Sequence, residues 1–370
     1  MQPLQTQVMA LSYKKIVIKI GSNVLTQANG LPDLARIEHL TDQIARIKKQ
    51  GKEVVLVSSG AVAAGRSMVN VSEKFDAVAS RQLLAAVGQV KLINTYSEFF
   101  GKQDLVCAQV LVTKDDFRDR LHYLNMKNCF HVLLQNNIIP IVNENDVISV
   151  TELMFTDNDE LAGLIASMLN ADALIILSNV DGIYNGDPKD SSSEVIREIE
   201  PSATGFSSFV TTQRSQFGRG GMITKCHMAH KVAQLGITVH IANGKTDNIL
   251  PRLLEEDVVN TRFQPKKNAS GKKKWIAHSG SYASGVVQVN DGACAALTSP
   301  KATSLLPVGV IGIEGNFQKG DIIRIVDERK KLLGLGIAEY SSEKAQERIG
   351  KKNEKVLVHY DYLFLNPEID

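Results

Sequence analysis

"KIVIKIGS", Lys15 to Ser22, decides how the chain folds. Ile16, Val17, Ile18 and Ile20 offer apolar side chains to both faces of a strand, which suits a sheet sandwiched between helix layers. Five further runs repeat the pattern: "EVVLVSSG" (Glu53 to Gly60), "LVCAQVLVT" (Leu105 to Thr113), "IIPIVNEND" (Ile138 to Asp146), "ALIILSNVDGIY" (Ala173 to Tyr184) and "TVHIANG" (Thr238 to Gly244). The intervening segments have helical spacing. One places Ile37, Leu40, Ile44 and Ile47 on a single stripe and ends at Gly51. Strand and helix alternating in this way predict an α/β domain over residues 14–261, a mainly parallel sheet with helices on both sides.

The 370 residues have room for two domains. Apolar residues at 44% and charged residues at 22% are ordinary for a globular protein. A net charge of +2 gives no global pull toward nucleic acid or a membrane. Cys107, Cys129, Cys226 and Cys294 are scattered, with no CxxC, so a reducing compartment is expected rather than a zinc or disulfide scaffold. "MQPLQTQVMALS" lacks a basic start and an apolar core, so residues 1–13 read as a flexible tail and not a signal peptide. No run reaches the roughly 18 apolar residues of a membrane helix, and a cytoplasmic location is expected. The pattern changes at "RFQPKKNASGKKK", residues 262–274, which reads as a linker with five lysines and no periodicity. Residues 275–370 then give short strand-like pieces separated by turns, predicting a small, mostly β domain.

Ligands of open α/β sheets sit off the carboxyl ends of the strands. Four of the runs end in small or polar residues: Gly21-Ser22, Ser59-Gly60, Asn143 to Asp146, and Ser178-Asn179. Lys19 interrupts the first run. It reads either as an edge-strand lysine snorkelling to water or, one step before a Gly-Ser turn, as a ligand for oligophosphate. Gly60 and Gly65 bracket small residues that would allow close approach of an anion to a helix start, or tight packing of that helix, or both. Ser59 lacks the GxSxG setting and the nearby histidine of a hydrolase nucleophile. "FTDNDELAGLIASML" fails as a calcium loop, since Ala162 and Met168 stand where glycine and glutamate are needed. Thr156 or Asp157 could cap a helix there. Asp157 and Asn158 could equally face a cationic ligand group, with Asp159 pairing a lysine. "FGRGGMITK", Phe217 to Lys225, is not a P-loop, yet its glycines and Lys225 are the parts of a phosphate cradle. The plain alternative is a glycine turn ahead of a helix.

In this order "IKIGSNVLT", "LVSSGAVAAGR", "RQLLAAVGQ", "PIVNENDV", "DND" and "GRGGMITK" resemble the amino acid kinase superfamily, in its branch acting on free glutamate. "SLLPVGVIGIEGNFQKGDIIRI" resembles the PUA domain appended to many such enzymes. The resemblance runs over residues 14 to 350. It implies the amino acid kinase fold followed by a PUA-like domain, and ATP-dependent phosphorylation of the γ-carboxylate of L-glutamate, the opening step of proline synthesis. It further implies that Lys19 and Lys225 touch the transferred phosphoryl group and that Asp159 orients them. Ser59, Asp146 and Asn158 would hold glutamate, with Asn143 and Asp157 nearby. Ser178, Asn179 and the stretch Arg219, Gly220, Gly221, Met222, Ile223, Thr224, Lys225 would hold ATP. Two positions depart from the family pattern. Ser178-Asn179 stands for the usual Thr-Asp, and Arg219 replaces a threonine in the glycine loop; both bear on ATP contacts.

The residue types suit that chemistry. A carboxylate nucleophile with a pKa near about 4.3 is already ionised, so no general base is needed. Fixed cations and N–H donors are needed to bring two anions together. Mg2+ would accompany ATP and keep waters rather than require a protein cage. An acidic Asp146 complements the α-ammonium of free glutamate better than an N-acetyl amide. The resemblance also implies inhibition by proline, a possible downstream glutamyl phosphate reductase partner and a homo-oligomer. RNA binding through residues 275–370 is disfavoured, because eleven Lys and Arg face twelve Asp and Glu.

Overall fold

The computed structural model describes residues 11–365 apart from 73, 119, 149–154, 156, 189, 191, 204–220, 267–275, 277–282 and 300–302. Within that range the chain divides into two compact units, residues 1–266 and 267–370.

In the first unit the described strands are β1 (Lys15–Ile20), β2 (Glu53–Ser58), β3 (Cys107–Val112), β4 (Ile139–Glu144), β5 (Ala173–Ser178), β6 (Glu198–Ile199), β7 (Thr238–Asn243) and β8 (Thr261–Phe263). They form one sheet in the order β3-β4-β2-β1-β5-β7-β8-β6. All pairings are parallel except β7 with β8. The six long strands are the six apolar runs. β6 and β8 are too short to show in the sequence. β8 also takes up Arg262 and Phe263, which composition had placed in the linker; Phe263 is fully buried.

Helices cover both faces because every parallel connection must cross over. One face carries α2 (Leu34–Lys49), α4 (Ala77–Gly101) and α9 (Ile249–Leu254), packed on Ile16, Ile18, Ile20, Val54 and Leu56. The other carries α6 (Arg120–Gln135), α7 (Asn158–Leu169) and α8 (Met222–Gln234), packed on Val17, Val55, Val57, Leu174 and Ile176. Shorter pieces are α1 (Ser22–Leu25), α3 (Ala61–Arg66) and α5 (Asp115–Arg118). The stripe Ile37, Leu40, Ile44, Ile47 is the buried face of α2. Asp33 caps its start by accepting from the Arg36 N–H at 3.0 Å, and Gly51 leaves it with φ 82°.

The topology puts a crevice between β1 and β5. From β1 the chain moves to β2 on one side; from β5 it moves to β7 on the other. That reversal is the switch point where open parallel sheets bind ligands. Because α7 and α8 each lead into a parallel strand, both begin at the carboxyl edge of the sheet. Residues far apart in sequence therefore meet there.

The second unit holds a sheet in the order β10-β9-β11-β12-β13, with β9 (Gly285–Val289), β10 (Val310–Gly315), β11 (Ile322–Val326), β12 (Leu332–Ile337) and β13 (Leu363–Leu365). Only β9 and β11 pair parallel. α10 (Asp291–Thr298) and α11 (Ser342–Arg348) interrupt the strands. The stretch "KVLVHYDYLFL", Lys355 to Leu365, gives strand only at its end. Val358 instead bridges Leu305, and a turn at Tyr360–Tyr362 separates it from β13.

Candidate active site

A cavity of about 460 Å³ opens over the carboxyl ends of β4, β2, β1 and β5. Lys19 enters it from β1. This strand is central, paired with β2 on one side and β5 on the other, so the edge-strand reading of Lys19 fails. The residue alternates onto the α7 face, where only 5% of it is exposed. An ammonium there is costly unless paired. Its partner is Asp159, in the first turn of α7: Lys19 Nζ lies 2.6 Å from Asp159 Oδ1. Lys225 Nζ, from α8, donates to the other oxygen, Oδ2, at 2.7 Å. Two cations far apart in the sequence thus share one fully buried carboxylate.

The electrostatics follow from that arrangement. Burial pushes the Asp159 carboxyl up, but the charges and hydrogen bonds of Lys19 and Lys225 outweigh it and hold the pKa down at about 2. For Lys225 burial works against the charge, and Asp159 overrides it and raises the pKa. At neutral pH both Asp159 and Lys225 are ionised. Gly21 keeps the neighbourhood open: a Cβ there would stand 3.5 Å from Lys19 Nζ and 3.2 Å from the Leu177 carbonyl.

Asp157 caps α7 with Oδ1, which accepts from the N–H groups of Asp159 and Glu160 at 2.9 and 3.0 Å. Its other oxygen, Oδ2, is buried in the cavity wall with no hydrogen-bond partner among the described residues. The cap reading of this residue therefore holds for Oδ1. Burial, then the neighbouring Asp159 charge, raises its pKa. Thr156, the alternative cap, lies outside the described residues.

Asn158 ties two strand ends together, those of β2 and β4. Its Nδ2 donates to the Ser58 carbonyl at 2.9 Å, to Ser59 Oγ at 3.0 Å and to Asn143 Oδ1 at 3.3 Å. Asn143 in turn donates to Gln89 Oε1 of α4 at 3.0 Å. Ser59 leads into Gly60, whose φ of 103° starts α3. Gly65 serves packing: a Cβ there would sit 2.1 Å from the Leu84 carbonyl oxygen. Gly88 on α4 is its counterpart, 1.8 Å from the Ala61 carbonyl oxygen by the same measure.

Asp146 lies beyond β4, buried, and accepts from Arg81 of α4: Nε at 3.1 Å and Nη2 at 2.5 Å, both on Oδ1. Burial raises its pKa and Arg81 partly offsets that. Glu144, also in the cavity wall, accepts from the Phe155 N–H at 2.8 Å. Burial raises its pKa to about 7, against the pull of that hydrogen bond. Sequence reading gave no role to Arg81, Glu144 or Gln89. Their signals were the quoted "RQLLAAVGQ" and the polar end of the fourth run.

On the opposite wall stand Ser178, buried, and Asn179, exposed. Lys225 faces the cavity from α8, whereas Met222 and Ile223 pack on the core and Thr224 is in the first turn. The helix begins at Met222, so Thr224 and Lys225 lie within it. Gly221 precedes it with no side-chain cap, leaving first-turn N–H groups for an anion. Arg219 and Gly220 lie outside the described residues. The candidates on β1, β2, β4, β5, α7 and Lys225 thus share one cavity.

Residues 14–243 match the amino acid kinase family, and residues 285–360 match the PUA domain. A glutamate 5-kinase of Bacteroides thetaiotaomicron is 54% identical over 96% of this chain and 100% of its own length. One from Chlorobaculum tepidum is 52% identical over 96% and 98% respectively. One from Thermoanaerobacter sp. is 39% identical over 94% of each chain. With the kinase domain matched and such likeness sustained across nearly the whole of both chains, this chain belongs to the amino acid kinase family, as a kinase of its glutamate 5-kinase branch.

Proposed function

We propose that the chain transfers the γ-phosphoryl group of ATP to the γ-carboxylate of L-glutamate, giving L-glutamyl 5-phosphate, the first step of proline biosynthesis. The observation that carries this reading is the meeting of Lys19 and Lys225 on Asp159 at the switch point of the sheet. A γ-carboxylate oxygen attacks the terminal phosphorus. The bond from that phosphorus to the β,γ-bridging oxygen breaks, and its electron pair leaves with ADP. The transition state is loose, with charge on the equatorial oxygens, so fixed cations are its main need. Each lysine ammonium has three donors, and Asp159 engages only part of that capacity. The rest would face the migrating group, with Asp159 fixing both amines in advance.

Ser59, Asn143, Asn158 and Asp146 would hold glutamate, the last by pairing with its α-ammonium. Ser178, Asn179 and the sequence stretch from Arg219 to Lys225 would hold ATP. Mg2+ fits the donor set through Asp157: Oδ2 is a hard oxygen, buried without a partner among the described residues, and it feels the Lys19 and Lys225 charges. It would accept from a water of the hydrated ion, which neutralises phosphate charge when bound. Proline, with an α-carboxylate and a cationic nitrogen, would compete at the glutamate site. The acyl phosphate is labile, which would favour a reductase close by. A cytoplasmic setting and a homo-oligomer complete the reading.

The test is ADP release measured with and without L-glutamate, with hydroxylamine trapping of the product as the hydroxamate. Release that depends on glutamate and yields hydroxamate supports the proposal. ADP release indifferent to glutamate, or preferring aspartate or N-acetylglutamate, overturns it. Added proline should raise the glutamate KM.

A further inference from the structure

Arg81 has no part in the chemistry above, yet it lines the cavity from α4. Its contact with Asp146 is lopsided. A guanidinium fork normally meets both oxygens of a carboxylate. Here Nε and Nη2 both fall on Oδ1, at 3.1 and 2.5 Å. The Nη1 donors have no hydrogen-bond partner among the described residues, and 34% of the side chain is exposed, against 9% for Asp146. An arginine needed only to neutralise Asp146 would not have to keep an edge of its fork open to the cavity.

A free α-amino acid presents an ammonium and a carboxylate on one carbon. We propose that Arg81 and Asp146 form a clamp for that zwitterion, with Asp146 taking the α-ammonium and the open edge of Arg81 taking the α-carboxylate. The pair satisfies itself while no substrate is bound and then opens to the two charges of the amino acid. This rests on the reading of L-glutamate as substrate and makes Arg81 a specificity-determining contact. It also gives a physical reason for arginine at this position: the planar fork can hold Asp146 with one edge and a second carboxylate with the other, which a lysine point charge cannot.

The experiment starts with glutamate-dependent ADP release by the wild-type protein. Its absence would sink the substrate reading whatever Arg81 does. Arg81→Gln and Arg81→Lys are then compared with it. The Arg81→Gln change should raise the glutamate KM by about 10- to 100-fold, the worth of a charged hydrogen-bonded contact, with a far smaller effect on kcat. Arg81→Lys should recover part of the loss, and it carries the same readout if Arg81→Gln folds poorly. Two half-substrates then compete against glutamate: glutarate, which lacks the ammonium, and 4-aminobutyrate, which lacks the α-carboxylate. In Arg81→Gln, inhibition by glutarate should weaken while inhibition by 4-aminobutyrate holds. The reverse pattern would make Arg81 a prop for Asp146 and overturn the clamp, as would a glutamate KM within twofold of wild type.

Discussion

Replacing Asp159 by asparagine probes the buried triad directly. Asparagine keeps the shape and removes the charge. Its carbonyl oxygen can accept from one lysine, but its NH2 group turns a donor toward the other. Lys19 and Lys225, with side chains only 6% and 13% exposed, are left as close like charges. Removing one partner from a buried ionic pair costs about 3–5 kcal/mol. An independent figure comes from titration. The carboxyl drops from 3.8 to about 2 on folding, roughly 2 kcal/mol at 1.36 kcal/mol per unit. Because the folded pKa is depressed, this contribution is fully present above pH 3.8 and fades only as pH falls through about 2, so it acts undiminished at neutral pH. At about 2–4 °C per kcal/mol for a domain of this size, Asp159→Asn should lower Tm by roughly 6–20 °C. It should also leave an uncompensated cationic pocket. Adding ATP or tripolyphosphate should therefore raise the variant's Tm by more than it raises the wild-type Tm, since the anion supplies the missing counter-charge. Turnover should fall at least about a thousandfold, the two amines no longer being fixed. Calorimetry with and without polyphosphate reads both effects. A variant that melts with wild type, or gains no more from polyphosphate than wild type does, refutes a shared anion position.

Lys225→Met leaves Lys19 and Asp159 as a one-to-one pair, so the far-UV spectrum should hold while kcat drops about a thousandfold or more; near-normal turnover would remove Lys225 from the reaction. Gly88→Ala would thrust a methyl to 1.8 Å from the Ala61 carbonyl oxygen and 2.3 Å from the Gly65 nitrogen. It should cost at least about 1–3 kcal/mol in urea unfolding and raise the glutamate KM by shifting α3, whereas Gly101→Ala, which meets nothing within 4 Å, should be neutral or better. Glu144 has a folded pKa of about 7 against 4.5 unfolded, so its stabilising contribution is full at low pH and is lost as pH rises through about 7. Glu144→Gln should therefore match wild type in melts near pH 5 and exceed it near pH 8; parallel pH profiles for the two proteins would discount the raised pKa.

The sheet was legible because its long strands are apolar on both faces, a pattern a half-exposed strand does not have. β6 and β8 were not, since two or three residues carry no period and owe their form to β7 and to each other. The strand-end residues of the site followed from the switch-point rule without knowledge of any relative. The pairing of Lys19 with Lys225 was less direct: nothing local in "KIVIKI" points to α8, and the two were joined as cations suited to one phosphate and by the family resemblance. Arg81 was missed because an arginine near the start of a long helix reads as part of a solvated face. Its partner lies 65 positions away, beyond β4. Glu144 was missed because its raised pKa arises from three-dimensional burial, which its polar neighbours in sequence disguise.

On the proposed reading the same cavity admits ATP and a glutamate γ-carboxylate, both anionic, yet it is lined by four carboxyl groups. Coulomb repulsion at partial burial would close it to both substrates unless those charges were answered. Three of them are. Asp159 is held between two ammoniums, Asp146 lies against a guanidinium, and burial keeps much of Glu144 protonated near neutrality. Asp157 keeps Oδ2 with neither a hydrogen-bond nor an ion-pair partner among the described residues. No acid–base residue is needed besides, since the nucleophile arrives ionised. The buried histidines agree with this, because their partners lie elsewhere: His230 meets the Pro201 carbonyl, and His240, its pKa lowered to about 4 by burial, sits between Tyr13 and Asn260. A site for proton transfer would place one of them at the cavity. What stands there is a set of cations held in position by their own counter-charges, and on the proposed reading a phosphoryl group meets them there.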